Sequence, residues 1–168
     1  MRTMPEPDRH GPTDPSAVPA RLRSLASRLL GRGAVHAERI SNARLAAAGA
    51  TRWQYATLVT LRDGGPASQA TLSERTGIHR SDMVAVLSGL TGSDTGTGTG
   101  TAYVRRAPDP ADRRRNIVTL TPAGRSWLRT LDQLVDETQD ELLAPLTPAE
   151  RAELVRLLQR IDDQHSAH

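Results

Sequence analysis

Arginine carries the chemistry in this chain. All 22 basic side chains other than histidine are arginine, and they crowd in one place. From Arg105 to Arg115 the run RRAPDPADRRR holds five arginines against two aspartates, a net of +3. A guanidinium stays charged and presents a planar fork of donors that fits phosphate oxygens, so such a run suits a polyanion. Asp109-Pro110 favours a turn. It places Arg113, Arg114 and Arg115 at the tip of a hairpin between two strand-prone runs, AYVRRA and NIVTL. Charge along the whole chain is split the same way. Residues 1–131 carry nineteen Arg and ten acids, +9, whereas the chain from Asp132 onward carries three Arg and nine acids, −6. A basic front with an acidic tail points to nucleic acid as the partner of the front part.

Other chemistries find little support. The segment TGTGTGT, Thr95 to Thr101, has the composition of a phosphate-binding glycine loop. Such a loop needs a strand before it and a helix N-terminus after it; here a helical pattern precedes and a strand follows, and no lysine is available. The five histidines, His10, His36, His79, His165 and His168, show no i, i+4 pair and no carboxylate at a metal spacing, so no metal or cofactor is expected. There is no nucleophile elbow, HExxH or Walker motif, and the chain reads as a non-enzyme. Without cysteine there is no disulfide or thiolate chemistry. No apolar run approaches the ~18 residues of a membrane span, and the Pro-rich start lacks a signal-peptide core, so a cytoplasmic protein is expected. One small-molecule site suggests itself where the early helices meet WQY: His36, Arg39, Trp53 and Tyr55 would offer an aromatic wall and cationic groups to a small aromatic or anionic effector.

The elements that must position these residues follow from periodicity and punctuation. Residues 1–18 are Pro-rich, polar and aperiodic, and read as a disordered tail. Leu22, Leu25 and Leu29 begin a helical pattern that Gly31 and Gly33 are expected to interrupt, and a second helix runs from Ala34 to Ala48, closed by Gly49. Thr51 caps the next helix, which stops at Gly64-Gly65-Pro66. Ser68 caps the short helix QATLSERT, Gly77 ends it, and HRSDMVAVLSGL follows with Met83, Val86, Leu87 and Leu90 at i, i+3, i+4 and i+7. Two short helices joined by a glycine turn form a helix-turn-helix, and the basic hairpin after them makes it winged. Thr121-Pro122 opens a long helix and Thr147-Pro148 a final one. Their leucine stripes exceed what a small winged helix can bury and suit a second copy of the chain.

Several segments resemble the MarR family of bacterial transcriptional regulators. DPADRRRNIVTLTPAGR, Asp109 to Arg125, is similar to the family's wing and wing-to-helix signature. GPASQATLSERTGIHRSDM, Gly65 to Met83, is similar to its helix-turn-helix, and RLAAAGATRWQYATL, Arg44 to Leu58, to the junction with its dimerisation helix. The resemblance covers residues 20–162. It implies a mainly α (α+β) fold, with a winged helix-turn-helix over 51–123 and a helical dimerisation region from 19–50 and 124–163. It also implies a homodimeric repressor that binds double-stranded DNA at a pseudo-palindromic operator and releases it when a small molecule binds. By the same resemblance Asp112 holds Arg114 for the minor groove, and Arg113 and Arg115 contact phosphates. Ser68 and Gln69 on the first helix, His79, Arg80, Ser81, Asp82, Val84, Ala85 and Ser88 on the second, and Arg105 and Arg106 at the wing's base complete the expected DNA-binding set.

Two departures stand out. Where many members place Thr and Arg after the turn, this chain has Val84 and Ala85, which cannot form bidentate hydrogen bonds to a base edge but can touch a thymine methyl. The link from recognition helix to wing, usually a few residues, is here the expanded stretch Thr91 to Thr101, and Gly89 and Gly92 are expected to fray the helix before it. These departures also motivate a second reading, a winged-helix module that contacts another protein and has lost its DNA role.

Overall fold

The structure, a computed structural model, describes residues 18–92, 100–110, 112 and 115–166. In chain order the elements are α1 (Ala20–Arg23), α2 (Ala26–Ala47), α3 (Arg52–Gly64), β1 (Ala67–Ser68), α4 (Gln69–Thr76), α5 (Arg80–Leu90), β2 (Val104–Pro108), β3 (Asn116–Leu120), α6 (Pro122–Leu142) and α7 (Pro148–Ser166). The fold is mainly helical with one small antiparallel sheet of order β1-β3-β2, the winged helix-turn-helix expected. The chain divides into two compact units, Met1–His36 and Ala37–His168. Among the described residues no helix is long and apolar enough to cross a membrane, and no group of three His, Asp or Glu could hold a metal ion.

In the first unit Leu22, Leu29, Leu30 and Val35 are exposed. The helix break expected at Gly31 and Gly33 is absent, because α2 passes through both. Each glycine costs about 1 kcal/mol relative to alanine, which a 22-residue helix absorbs. The interruption comes earlier, at Ser24 and Leu25, where the Ser24 hydroxyl donates to the Arg21 carbonyl (3.1 Å) and competes with the helical pattern.

The second unit has one apolar core, drawn from every layer: Leu58 of α3, Leu72 of α4, Met83, Leu87 and Leu90 of α5, Val104 and Val118 of the sheet, and Leu128 and Leu131 of α6 are all essentially inaccessible. Helix starts are fixed by side chains read from the sequence. Thr51 Oγ1 accepts from Gln54 N–H while the Gln54 carboxamide accepts from Thr51 N–H, a reciprocal box that sets the start of α3. Ser68 caps α4 and Thr121 caps α6, each accepting an N–H three residues on (3.2 and 2.9 Å). Gly77 ends α4 in the left-handed conformation (φ 68°) that glycine adopts without strain. At the end of α5, Gly89 stays helical and the helix reaches Leu90 before Gly92 turns the chain (φ 70°). Residues 93–99, most of the Thr-Gly linker, lie outside the described residues.

The linker's far end is held firmly. Tyr103 N–H donates to the Leu90 carbonyl (2.8 Å), and the Tyr103 carbonyl accepts from Thr121 N–H and Oγ1 (both 3.1 Å). Its ring stacks on Trp127 of α6 at 4.0 Å between centroids. Gly124 packs directly beneath the Tyr103 carbonyl, with no room for a Cβ. Helices α3 and α6 are joined at a second point. Asp132 accepts from the Tyr55 hydroxyl (3.0 Å) and from Arg62 (2.7 Å). Arg44, near the end of α2, pairs with Glu137 and Glu141 farther along α6 (2.8 and 2.5 Å). Among the side chains of α7 whose burial is described none is buried, and Val155, Leu157, Leu158 and Ile161 are exposed.

Two outcomes follow for stability. Gly124→Ala forces a methyl into the Tyr103 carbonyl and should lower stability by about 1–3 kcal/mol, read from the urea midpoint at an unchanged slope. Burial, then the hydrogen bond to Asp132, pushes the Tyr55 hydroxyl up to about 12. With its folded value raised, Tyr55 contributes fully below the ordinary tyrosine value of about 10, and that contribution disappears as pH climbs to about 12. The chain has no lysine or cysteine and only two tyrosines, so this window is uncluttered. Tyr55→Phe should therefore flatten the alkaline fall in Tm between those limits; an identical fall in both proteins would show that the tie contributes nothing.

Candidate nucleic-acid interface

The helix-turn-helix is held from below by its apolar side chains. Leu72 of α4, Ile78 of the turn and Met83, Val86, Leu87 and Leu90 of α5 face the core. Thr76 locks the turn: its hydroxyl donates to the Leu72 carbonyl (2.6 Å) and accepts from Ile78 N–H (3.3 Å). His79 caps α5, with Nδ1 accepting from Ser81 N–H (3.4 Å) and lying 2.8 Å from Ser81 Oγ. This arrangement turns Arg80, Ser81, Val84 and Ala85 outward. Asp82 is half-buried in the first turn, where a carboxylate suits the positive helix end.

The wing stands beside it. In β2, Val104 is buried while Arg105 and Arg106 are exposed opposite Thr119 and Val118 of β3. The hairpin tip is drawn closed by backbone bonds from Asp109 N–H to Arg115 O (2.8 Å) and from Arg115 N–H to Asp112 O (2.9 Å). Asp112 is exposed; Arg113 and Arg114, the arginines expected in the groove, lie outside the described residues. Two-residue β1 joins the wing to the helix-turn-helix, pairing Ala67 with Val118 and Ser68 with Ile117.

Between them lies an open groove of about 620 Å³ that brings together Ser68, His79, Arg80 and Arg115, four of the sequence-predicted residues, with Thr71 and Ser73. Gln69 is tied in by its side-chain amide, which donates to the Arg80 carbonyl (3.4 Å). Arg80, Arg105, Arg106 and Arg115 make no ion pair among the described residues, whereas Arg44, Arg52, Arg62, Arg151 and Arg156 all pair with carboxylates elsewhere. Two of these guanidinium groups, Arg80 and Arg115, line the groove together with Glu74, and unpaired guanidinium groups in such a place suit phosphate oxygens.

Of the four residues considered for an effector, Trp53 and Tyr55 take different neighbours. His36 and Arg39 are exposed on α2. Tyr55 turns its hydroxyl to Asp132, while Trp53 lines an open cleft of about 430 Å³ with Asn42, Thr51, Arg52, Asp82 and Ala85. Sequence reasoning missed Asn42 and Arg52 here. The signal for Arg52 was its place next to Trp53 in the sequence; in the fold its guanidinium lies 5.9 Å from that ring, a cation–π distance. Because Asp82 and Ala85 belong to α5, this cleft shares a wall with the recognition helix.

No model of a known protein family matches the chain. Individual proteins do. It is 30% identical over 113 residues to the HTH-type transcriptional repressor NicR of Pseudomonas putida, a match spanning 67% of this chain and 66% of that repressor's length. Its fold is similar to that of Bordetella bronchiseptica BpsR, whose DNA binding is regulated by 6-hydroxynicotinic acid (TM-score 0.71, 27% identity, 91% of this chain and 99% of BpsR). It is also similar to a variant of E. coli MarR complexed with operator DNA (TM-score 0.67, 25% identity, 80% of this chain and 91% of MarR). Winged helix-turn-helix, arginine-bearing wing and these likenesses converge: the chain belongs to the MarR family of transcriptional regulators.

Proposed function

We propose that this protein is a non-enzymatic, dimeric repressor that grips a pseudo-palindromic operator with two winged helices and lets go when a small aromatic or anionic molecule binds. The observation that carries the reading is the groove in which His79 and Arg80, at the start of α5, meet Arg115 of the wing, with Glu74 also in its lining and neither arginine in an ion pair among the described residues. With α5 in the major groove, the wing reaches adjacent phosphates and the minor groove. Arg113 and Arg114 extend that reach by their place in the sequence, Arg114 as the minor-groove residue beside Asp112.

Dimerisation is supported by the apolar side chains left exposed, Leu22, Leu29, Leu30 and Val35 on α1 and α2, and Val155, Leu157, Leu158 and Ile161 on α7. Residues 19–50 and 124–163 form the dimerisation region in this reading, and 51–123 the DNA-binding part. The cleft beside Trp53 is the effector site it favours. A planar acid would stack on the indole with its carboxylate taking the place of Glu38 on Arg52, and would press on α5 through Asp82 and Ala85.

A gel shift with the DNA upstream of the protein's own gene, repeated over a salt series, tests the reading. Log affinity should fall linearly with log salt, and Arg114→Ala should weaken binding severely and reduce the slope by about one unit. No retarded band at any salt would favour the protein-contact reading. Titrating a panel of aromatic acids into the complex should release DNA, and Arg52→Ala should blunt that release without loss of DNA binding. Release that is equally effective in the variant would move the effector elsewhere.

A further inference from the structure

We infer that Val84 is the specificity-determining residue of α5 and reads the C5-methyl group of a thymine in each operator half-site. The inference rests on the DNA-binding reading above and goes beyond it by naming what the recognition helix reads.

Val84 is 50% exposed in the middle of α5, while Met83, Val86, Leu87 and Leu90 on the same helix are buried. A β-branched side chain is a poor helix former, and at half exposure it gains little from packing. A position that breaks propensity and burial together, on the outward face of a helix-turn-helix, is where a functional constraint is expected.

Beyond the first residue that face has little hydrogen-bonding capacity to tell bases apart, and Val84 projects farther than Ala85, the other exposed apolar residue. From Ser81 to Leu90 the sequence SDMVAVLSGL contains no Arg, Asn or Gln, the residues that make bidentate hydrogen bonds to guanine or adenine. Ser81 Oγ is engaged with His79 and Asp82 (2.8 and 3.5 Å). Serine hydroxyls, in any case, pair with several bases and discriminate weakly. Asp82 is half-buried, and both it and Ala85 border the cleft beside Trp53. Arg80 sits one turn before Val84 on the same side of the helix, close to Arg115, and serves the phosphates or the outermost base pair. Short side chains along the rest of the face let the helix backbone approach the groove floor, and Val84 is then the projecting apolar group. In the major groove the apolar feature it can cover is the thymine methyl, which distinguishes A·T from every pair lacking it.

The test uses the full chain and a duplex it selects itself from a random-sequence pool. Each thymine of the selected duplex is then replaced in turn by deoxyuridine, which removes only the methyl. At one thymine per half-site the wild-type protein should lose affinity about fourfold, the equivalent of one buried methyl. Changing both half-sites should lose about sixteenfold. Val84→Ala, which alters a half-exposed side chain and improves helix propensity, should bind thymine and uracil duplexes alike. Arg115→Ala, as a control, should weaken both equally and keep the wild-type ratio. Finding no thymine whose replacement matters, or finding the same ratio in Val84→Ala, overturns the inference while leaving DNA binding intact. A pool in which no sequence is enriched, with no retardation of bulk duplex, overturns the DNA-binding reading and this inference with it.

Discussion

The DNA-reading elements depend on a single backbone node at Tyr103. Its N–H closes on the last carbonyl of α5, its carbonyl takes two donors from the cap of α6, and its ring stacks on Trp127 of the same helix. One residue thereby sets three relations: where α5 ends, where β2 begins, and how both sit on α6. The contact is close enough that Gly124 is needed beneath it. Since the sheet pairs β3 with both β2 and β1, the wing inherits its position from the same node. Recognition helix and wing are thus tied to a common support, as a two-part grip on DNA demands.

Charge is distributed to leave that surface free. Acidic residues of α6 and α7 pair with Arg44, Arg62, Arg151 and Arg156, away from the wing. Most of these pairs are largely exposed and add little stability individually. Their larger effect is to keep carboxylates occupied on the stalk helices, so that attraction for a polyanion is concentrated on the groove. The tie from Asp132 to Tyr55 and Arg62 is better sheltered, and it fixes α3, the helix that carries Trp53 of the cleft, to α6.

Much of this organisation was legible in the residues, and the reasons are local. Thr51, Ser68 and Thr121 announce helix starts because a hydroxyl at the cap satisfies an N–H the helix cannot. The recognition helix was legible because its four core residues repeat at the helical period. What escaped is what depends on distant partners or sums. Strand β1 is two residues long, and its partner lies about fifty residues downstream, so no local pattern marks it. The glycines at 31 and 33 carry a local penalty that only the length of α2 outweighs. Trp53 and Tyr55 looked like one aromatic wall, yet residues two apart on a helix point to nearly opposite sides. One faces the cleft and the other faces α6.

A Cβ added to Gly92 would come within 3.3 Å of the Thr101 carbonyl, so the two backbones pass close to one another. The stretch between them therefore leaves and re-enters the fold at one point, and the distance from α5 to β2 is set without it. Closing a longer loop between fixed ends adds only about 0.6 kcal/mol per doubling. A repeat anchored this way is a length buffer: adding or removing Thr-Gly pairs is expected to leave β2 in register with α5.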